Sequence, residues 1–119
     1  MEVKTFEFVN LDYLNLMADG DNNMKKIMLE MLFEELPTEI SKMRKLHQVG
    51  DWEEMKSVAH KMKSTLAFIG NETMSAANIE IENVTKANGD TSNVDNLISI
   101  IEEVYPKAIA ELKIEYGNL

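Results

Sequence analysis

Two histidines, His47 and His60, and no cysteine among 119 residues narrow the chemistry this chain can offer. Without thiols there is no disulfide framework, no thiolate metal site and no thiol nucleophile. Two histidines are too few for the usual tetrahedral zinc site. Di-iron bundles need Glu-x-x-His on two helices, but Arg44 and Ser57 stand three residues before His47 and His60. No His-Glu-x-x-His, phosphate-binding P-loop or kinase glycine loop occurs. Carboxylates are plentiful yet scattered, with no pair marked out for acid–base work. What remains is an imidazole, which when neutral keeps one ring-nitrogen lone pair able to attack phosphorus. Phosphoryl transfer asks a protein chiefly for positioning and charge neutralisation. Lys63, one helical turn beyond His60, supplies a cation for the second task.

A helical wheel turned about 100° per residue separates the segment around His60 into two faces. Met55, Val58, Met62, Thr65, Leu66 and Ile69 fall opposite the histidine and form a core stripe. Glu53, Lys56, Ser57, Lys63, Ser64 and Ala67 share its side. The imidazole is therefore predicted to face solvent at mid-helix. A lone solvated histidine ordinarily needs no account. Here Ser64 and Ala67 are small enough to admit a partner's surface. Lys56, Lys61 and Lys63 concentrate positive charge on a chain of net −9. A capped helix with a clean core stripe is also the rigid platform a reactive group requires.

The elements that must hold this face are helical. Five glycines and two prolines punctuate the chain, and apolar residues recur at helical rather than alternating spacing. A short first helix is expected over Asn10 to Met17, closed by Asp19-Gly20. A second starts at an Asp21 or Asn22 cap, with Met24, Ile27, Met28, Met31 and Leu32 on one face. A kink or break is expected at Pro37, and the stripe continues through Ile40, Met43 and Leu46 to Gly50. Asp51 with Glu54 reads as close to a capping box for a third helix ending at Gly70. Asn71 caps a fourth carrying Met74, Ala77, Ile81 and Val84. The last starts near Ser92 and shows Val94, Leu97, Ile101, Val104, Ala108 and Leu112, with a local bend at Pro106. The nine methionines fit a core that fills irregular gaps with thioethers. The expected fold is all-α: an antiparallel up-down four-helix bundle with a short additional N-terminal helix, forming one domain over residues 1–119.

The run Ala59-His60-Lys61-Met62-Lys63-Ser64-Thr65-Leu66-Ala67-Phe68-Ile69-Gly70 resembles the signature of the histidine-containing phosphotransfer (HPt) domain. Gly50-Asp51-Trp52-Glu53 is similar to that family's turn into the histidine helix. Glu34-Glu35-Leu36-Pro37 resembles its acidic-apolar-proline segment, and Asn78-Ile79-Glu80-Ile81-Glu82 its following helix. The likeness covers residues 10–115. It implies that His60 is phosphorylated, at Nε2, with Lys63 contacting the phosphoryl oxygens. Ser64 stands where many members have glycine, and Thr65 is bulkier than the usual serine or alanine. Glu82 matches a position near the histidine where members carry glutamate or glutamine; it either orients the imidazole or is surface charge.

The expected function is that of a phosphorelay intermediate. It would accept a phosphoryl group from an aspartyl phosphate of a response-regulator receiver domain, with a hybrid histidine kinase as a further partner, and pass it to another receiver. The receivers would bring their own Mg²⁺, so no metal or cofactor is expected, and no independent ATP-dependent activity. Lys56, Lys61, Ser64 and Ala67 are expected to support docking, together with apolar side chains of the first two helices. The alternative is an adaptor bundle that binds receivers or kinases without carrying phosphate. His47 and the cluster Lys42, Arg44 and Lys45 are expected to be solvated. The acidic balance argues against nucleic acid, and no apolar run approaches the ~20 residues of a membrane span. Met1-Glu2-Val3-Lys4 does not resemble a signal peptide. A cytoplasmic monomer is expected, and the lack of a linker at either end points to a complete small protein.

Overall fold

Helix boundaries follow from side chains that satisfy otherwise orphaned backbone groups. A computed structural model describes residues 6–119 and contains, among them, five helices and no strand. They are α1 (Asp12–Ala18), α2 (Asn22–Val49), α3 (Trp52–Ile69), α4 (Glu72–Lys86) and α5 (Val94–Gly117). The signal-peptide reading of residues 1–4 lies outside the described residues. Asp21 opens α2 by accepting from the Asn23 and Met24 amides, at 2.9 and 3.1 Å. Asp51 opens α3 by accepting from Glu54, and Asn71 opens α4 by accepting from Met74. Gly50 and Gly70 close α2 and α3 at φ of 71° and 70°, in the left-handed region where glycine is unstrained.

Two local expectations need correction. The first helix begins at Asp12 rather than Asn10, because the Asn10 side chain accepts the Asp12 amide and forms the turn before the helix. The capping box at Asp51 is half made. The Asp51 amide is already bonded to the Leu46 carbonyl, and the Glu54 carboxylate pairs with Lys42 at 3.2 Å instead.

The helices close a ring in which α2 packs on α3, α3 on α4, α4 on α5 and α5 on α2, while α1 lies against α2 and α3. Connections of two residues, Gly50-Asp51 and Gly70-Asn71, turn α2, α3 and α4 antiparallel to their neighbours. Leu29, Leu36, Met55, Met62, Ile81 and Ile101 are among the fully buried side chains, and burial of each such group contributes about 1.5–3 kcal/mol. All six residues assigned to the core stripe of the histidine helix are buried. The face assigned to α2 is different. Met24, Ile27 and Met31 are exposed, while Leu29, Leu32, Leu36, Ile40 and Met43 face the core. Apolar residues cover much of the circumference of the first half of α2, and the ring buries only one side of it. The methionines divide likewise: Met43, Met55, Met62 and Met74 are buried, whereas Met17, Met24 and Met31 are not. Neither proline ends a helix; α2 runs through Pro37 and α5 through Pro106.

Arg44 is also placed differently from expectation. Its guanidinium crosses from α2 to α5, donating to Glu102 at 2.7 Å, to Ser99 at 3.2 Å and to Asp95. The planar five-donor fork suits such a staple. His47 is half-buried, its ring edge-on to Trp52 with centroids 5.9 Å apart.

Candidate functional site

The α3–α4 seam sets the position of the histidine. Ala59 is fully buried, and its carbonyl accepts a hydrogen bond of 2.8 Å from the buried Asn78 side chain of α4. That bond fixes the register of the two helices next to His60. One turn after Asn78, on the same face of α4, stands Glu82. Its Oε2 lies 2.6 Å from His60 Nδ1. The carboxylate is 15 % exposed and the imidazole 75 %. An ionised carboxylate only accepts, so the Nδ1–H donates to it, and the lone pair of the neutral ring is placed on Nε2.

The sequence-derived site residues fall on a single face. Lys63, Ser64 and Ala67 are exposed beside the histidine. Among the described residues Lys63 has no ion-pair partner. Lys56 is half-buried and bonded to Glu53 at 2.9 Å. Lys61, on the other flank of His60, approaches the buried Glu39 of α2 at 3.9 Å. The wall between α2 and α3 is hollow. A cavity of about 340 Å³ opens there, walled by Met28, Met31, Leu32 and Phe68, with His60 and Lys61 among its lining residues. The residues assigned to catalysis and docking are thus together, with Glu82 behind the ring and an apolar hollow in front of it.

Sequence reasoning missed three features here. The cavity lies where Met28 and Met31 of α2 meet Phe68 of α3 at the edge of the core. The buried Glu39 sits at a core-facing position that helical spacing would give to an apolar residue. The third is Glu111 of α5, which accepts the backbone amides of Glu7, Phe8 and Val9 at 2.7–3.1 Å and pins the segment that leads into α1. No signal in a single sequence identifies these, since each depends on which helices become neighbours. Among the described residues no group of three or more His, Asp or Glu side chains is arranged to hold a metal ion.

A family model described as the Hpt domain matches residues 27–115. Two solved structures share the fold. The chain resembles histidine-containing phosphotransfer protein B (HptB) from Pseudomonas aeruginosa with a TM-score of 0.85 and 15 % identity, covering 97 % of this chain and 99 % of that one. It resembles the HPT domain of the Hpt sensor hybrid histidine kinase from Shewanella with a TM-score of 0.78 and 23 % identity, covering 93 % and 95 %. Comparison with curated proteins gives no match.

Proposed function

The chain belongs to the Hpt domain family, and on that premise we propose that it is a phosphocarrier shuttling a phosphoryl group between receiver-domain aspartates through His60. The observation that carries this reading is the pairing of His60 Nδ1 with Glu82, which leaves Nε2 as the nucleophile on an exposed face. In the forward step the Nε2 lone pair forms a bond to phosphorus as the bond from phosphorus to the aspartyl oxygen breaks. The aspartate leaves as a carboxylate, and the proton on Nδ1 stays in the hydrogen bond to Glu82. The reverse step loads a second receiver. In this reading the ammonium of Lys63, exposed one helical turn beyond His60, neutralises the charge of the equatorial oxygens as the group passes. The apolar hollow and the lysines beside it would receive an acidic partner of mixed surface. No described helix is long and apolar enough to cross a membrane.

The test is phosphotransfer profiling against a panel of phosphorylated receiver domains. The wild type should acquire an acid-labile, base-stable label, and His60→Gln should acquire none while keeping its helicity and unfolding temperature. Equal labelling of that variant would overturn the phosphosite. Lys63→Ala should slow transfer more than it weakens docking; an effect confined to affinity would refute its role at the phosphoryl group. Binding of receivers without labelling would leave the adaptor reading, and labelling from ATP alone would indicate an enzyme.

A further inference from the structure

A second carboxylate, distinct from Glu82, lies in the α2–α3 seam beside the cavity. Glu39 is 7 % exposed. Its Oε1 accepts a long hydrogen bond, 3.5 Å, from the Thr65 hydroxyl and stands 3.9 Å from the Lys61 ammonium. Its Oε2 is buried and, among the described residues, has no hydrogen-bond partner. Burial is the largest influence on this carboxyl and pushes its pKa up; Glu35, one turn earlier, adds to the rise, while Lys61 and Thr65 oppose it. These are the groups that face it, Glu35 from its own helix and Lys61 and Thr65 from α3. The charged groups by which α5 reaches α2 are engaged elsewhere, Glu102 and Asp95 with Arg44 and Glu115 with Lys25. Among the described residues the one cation in reach therefore belongs to Lys61, a residue adjacent to His60 in sequence, 71 % exposed, and lining the same cavity as Thr65 and the histidine.

We propose that Glu39 is a positioning residue for Lys61, a proton-dependent tether beside the phosphoryl site. As a carboxylate it draws the ammonium down toward the α2–α3 seam. When it takes up a proton it releases the ammonium to an anion approaching His60. A neutral carboxyl no longer attracts the ammonium, and the flexible four-carbon stem of lysine lets the charge swing outward. The tether rests on His60 being the phosphoryl acceptor, and it adds a pH dependence carried by Glu39 and Lys61.

Potassium phosphoramidate tests this without a partner protein. His60 Nε2 bonds to phosphorus as the phosphorus–nitrogen bond of the N-protonated reagent breaks; neutral ammonia leaves with the electron pair, and the Nδ1 proton stays in the hydrogen bond to Glu82. Initial labelling rates at His60, resolved from His47 by peptide mass analysis, are compared from about pH 5 to about pH 8, a span reaching above the ordinary glutamate range. At the upper end Glu39→Gln should label about two- to fivefold faster than the wild type, the size of a partly exposed ion-pair effect. The ratio should fall toward one as the pH drops and the wild-type carboxyl takes up its proton. In a Lys61→Met background the gain from Glu39→Gln should vanish. A ratio independent of pH, or a gain that survives without Lys61, overturns the tether.

Thermal unfolding gives an independent reading. A carboxyl whose pKa is raised by folding contributes stability that is complete below its unfolded value and lost as pH rises through the folded one. Glu39→Gln should therefore unfold at a higher temperature than the wild type at neutral pH, with the two converging on acidification. An unchanging difference contradicts the buried titration. Absence of label on wild-type His60 would instead refute the acceptor assignment, and the tether's function with it.

Discussion

In the proposed transfer a single short hydrogen bond selects which nitrogen of His60 would attack phosphorus. In an isolated neutral imidazole the proton moves freely between the two nitrogens, so an unassisted histidine offers its Nε2 lone pair for only part of the time. Glu82, held one turn from Asn78, places the proton on Nδ1 through a contact of 2.6 Å. A hydrogen bond to a charged group is worth about 1.5–3 kcal/mol, discounted here because the ring is mostly solvated. Glu82→Ala should accordingly slow phosphoryl acceptance by on the order of tenfold, about 1.4 kcal/mol in the barrier. Glu82→Gln, whose amide oxygen still accepts from Nδ1–H, should lose less. Nitrogen-15 chemical shifts of His60 should show proton density moving to Nε2 in the alanine variant; an unchanged tautomer with a slowed rate would assign Glu82 a different role. At this scale the sequence told that His60 and Lys63 face outward, because the stripe on α3 is clean and a wheel reads it directly. It was silent on whether Glu82 touches the ring. That contact depends on the α3–α4 register, which one buried asparagine sets across 19 residues of chain.

The same contrast between local and long-range information holds for the elements. Caps are local chemistry, and Asp21, Asp51, Asn71, Gly50 and Gly70 all mark helix ends where spacing placed them. The buried side of α2 is not local. Its first half carries two apolar stripes, and the neighbours decide which one is covered. Arg44 and Glu39 escaped for the same reason, since a charged residue reads as surface until a partner helix is known to lie over it. The two capping glycines offer a measure of how firmly α1 is attached. Both are left-handed, but a side chain at Gly50 would meet open space, whereas one at Gly70 would run into the Asn10 backbone. Asn10 donates its amide to the Ile69 carbonyl at 2.9 Å, and Asn71 donates its side-chain amide to the Phe8 carbonyl at 2.8 Å. Gly50→Ala should cost the left-handed penalty alone, roughly 1–2 kcal/mol. Gly70→Ala should cost about 1–3 kcal/mol more, the range for a forced backbone displacement, with added hydrogen exchange over residues 8–18. Equal losses in urea unfolding would mean that the leading segment contributes nothing to the attachment.

Taken whole, the molecule is acidic yet carries apolar side chains outward on its first two helices. With a net charge of −9, it turns Tyr13, Leu16, Met17, Met24, Ile27 and Met31 outward from α1 and α2. Met31 also lines the hollow beside His60. Single exposed apolar residues are common, but six on two helices packed together are more than scattered exposure accounts for, and such clusters mark interaction surfaces. Two equally exposed residues make the comparison, Met31 at 51 % and Ile114 at 52 %. Ile114 lies on α5, which packs on α2 and α4 and stands across the ring from α3. Met31→Glu places a carboxylate where a docked receiver would have to bury it unpaired. Binding to a receiver that labels the wild type should weaken at least about tenfold, or about 1.4 kcal/mol. Ile114→Glu should leave binding and transfer unchanged. Both substitutions are at the surface and should shift stability by less than about 0.5 kcal/mol, so circular dichroism separates docking from folding. Equal losses for the two variants would point to nonspecific charge repulsion, and no loss for Met31→Glu would place the docking face elsewhere on the bundle.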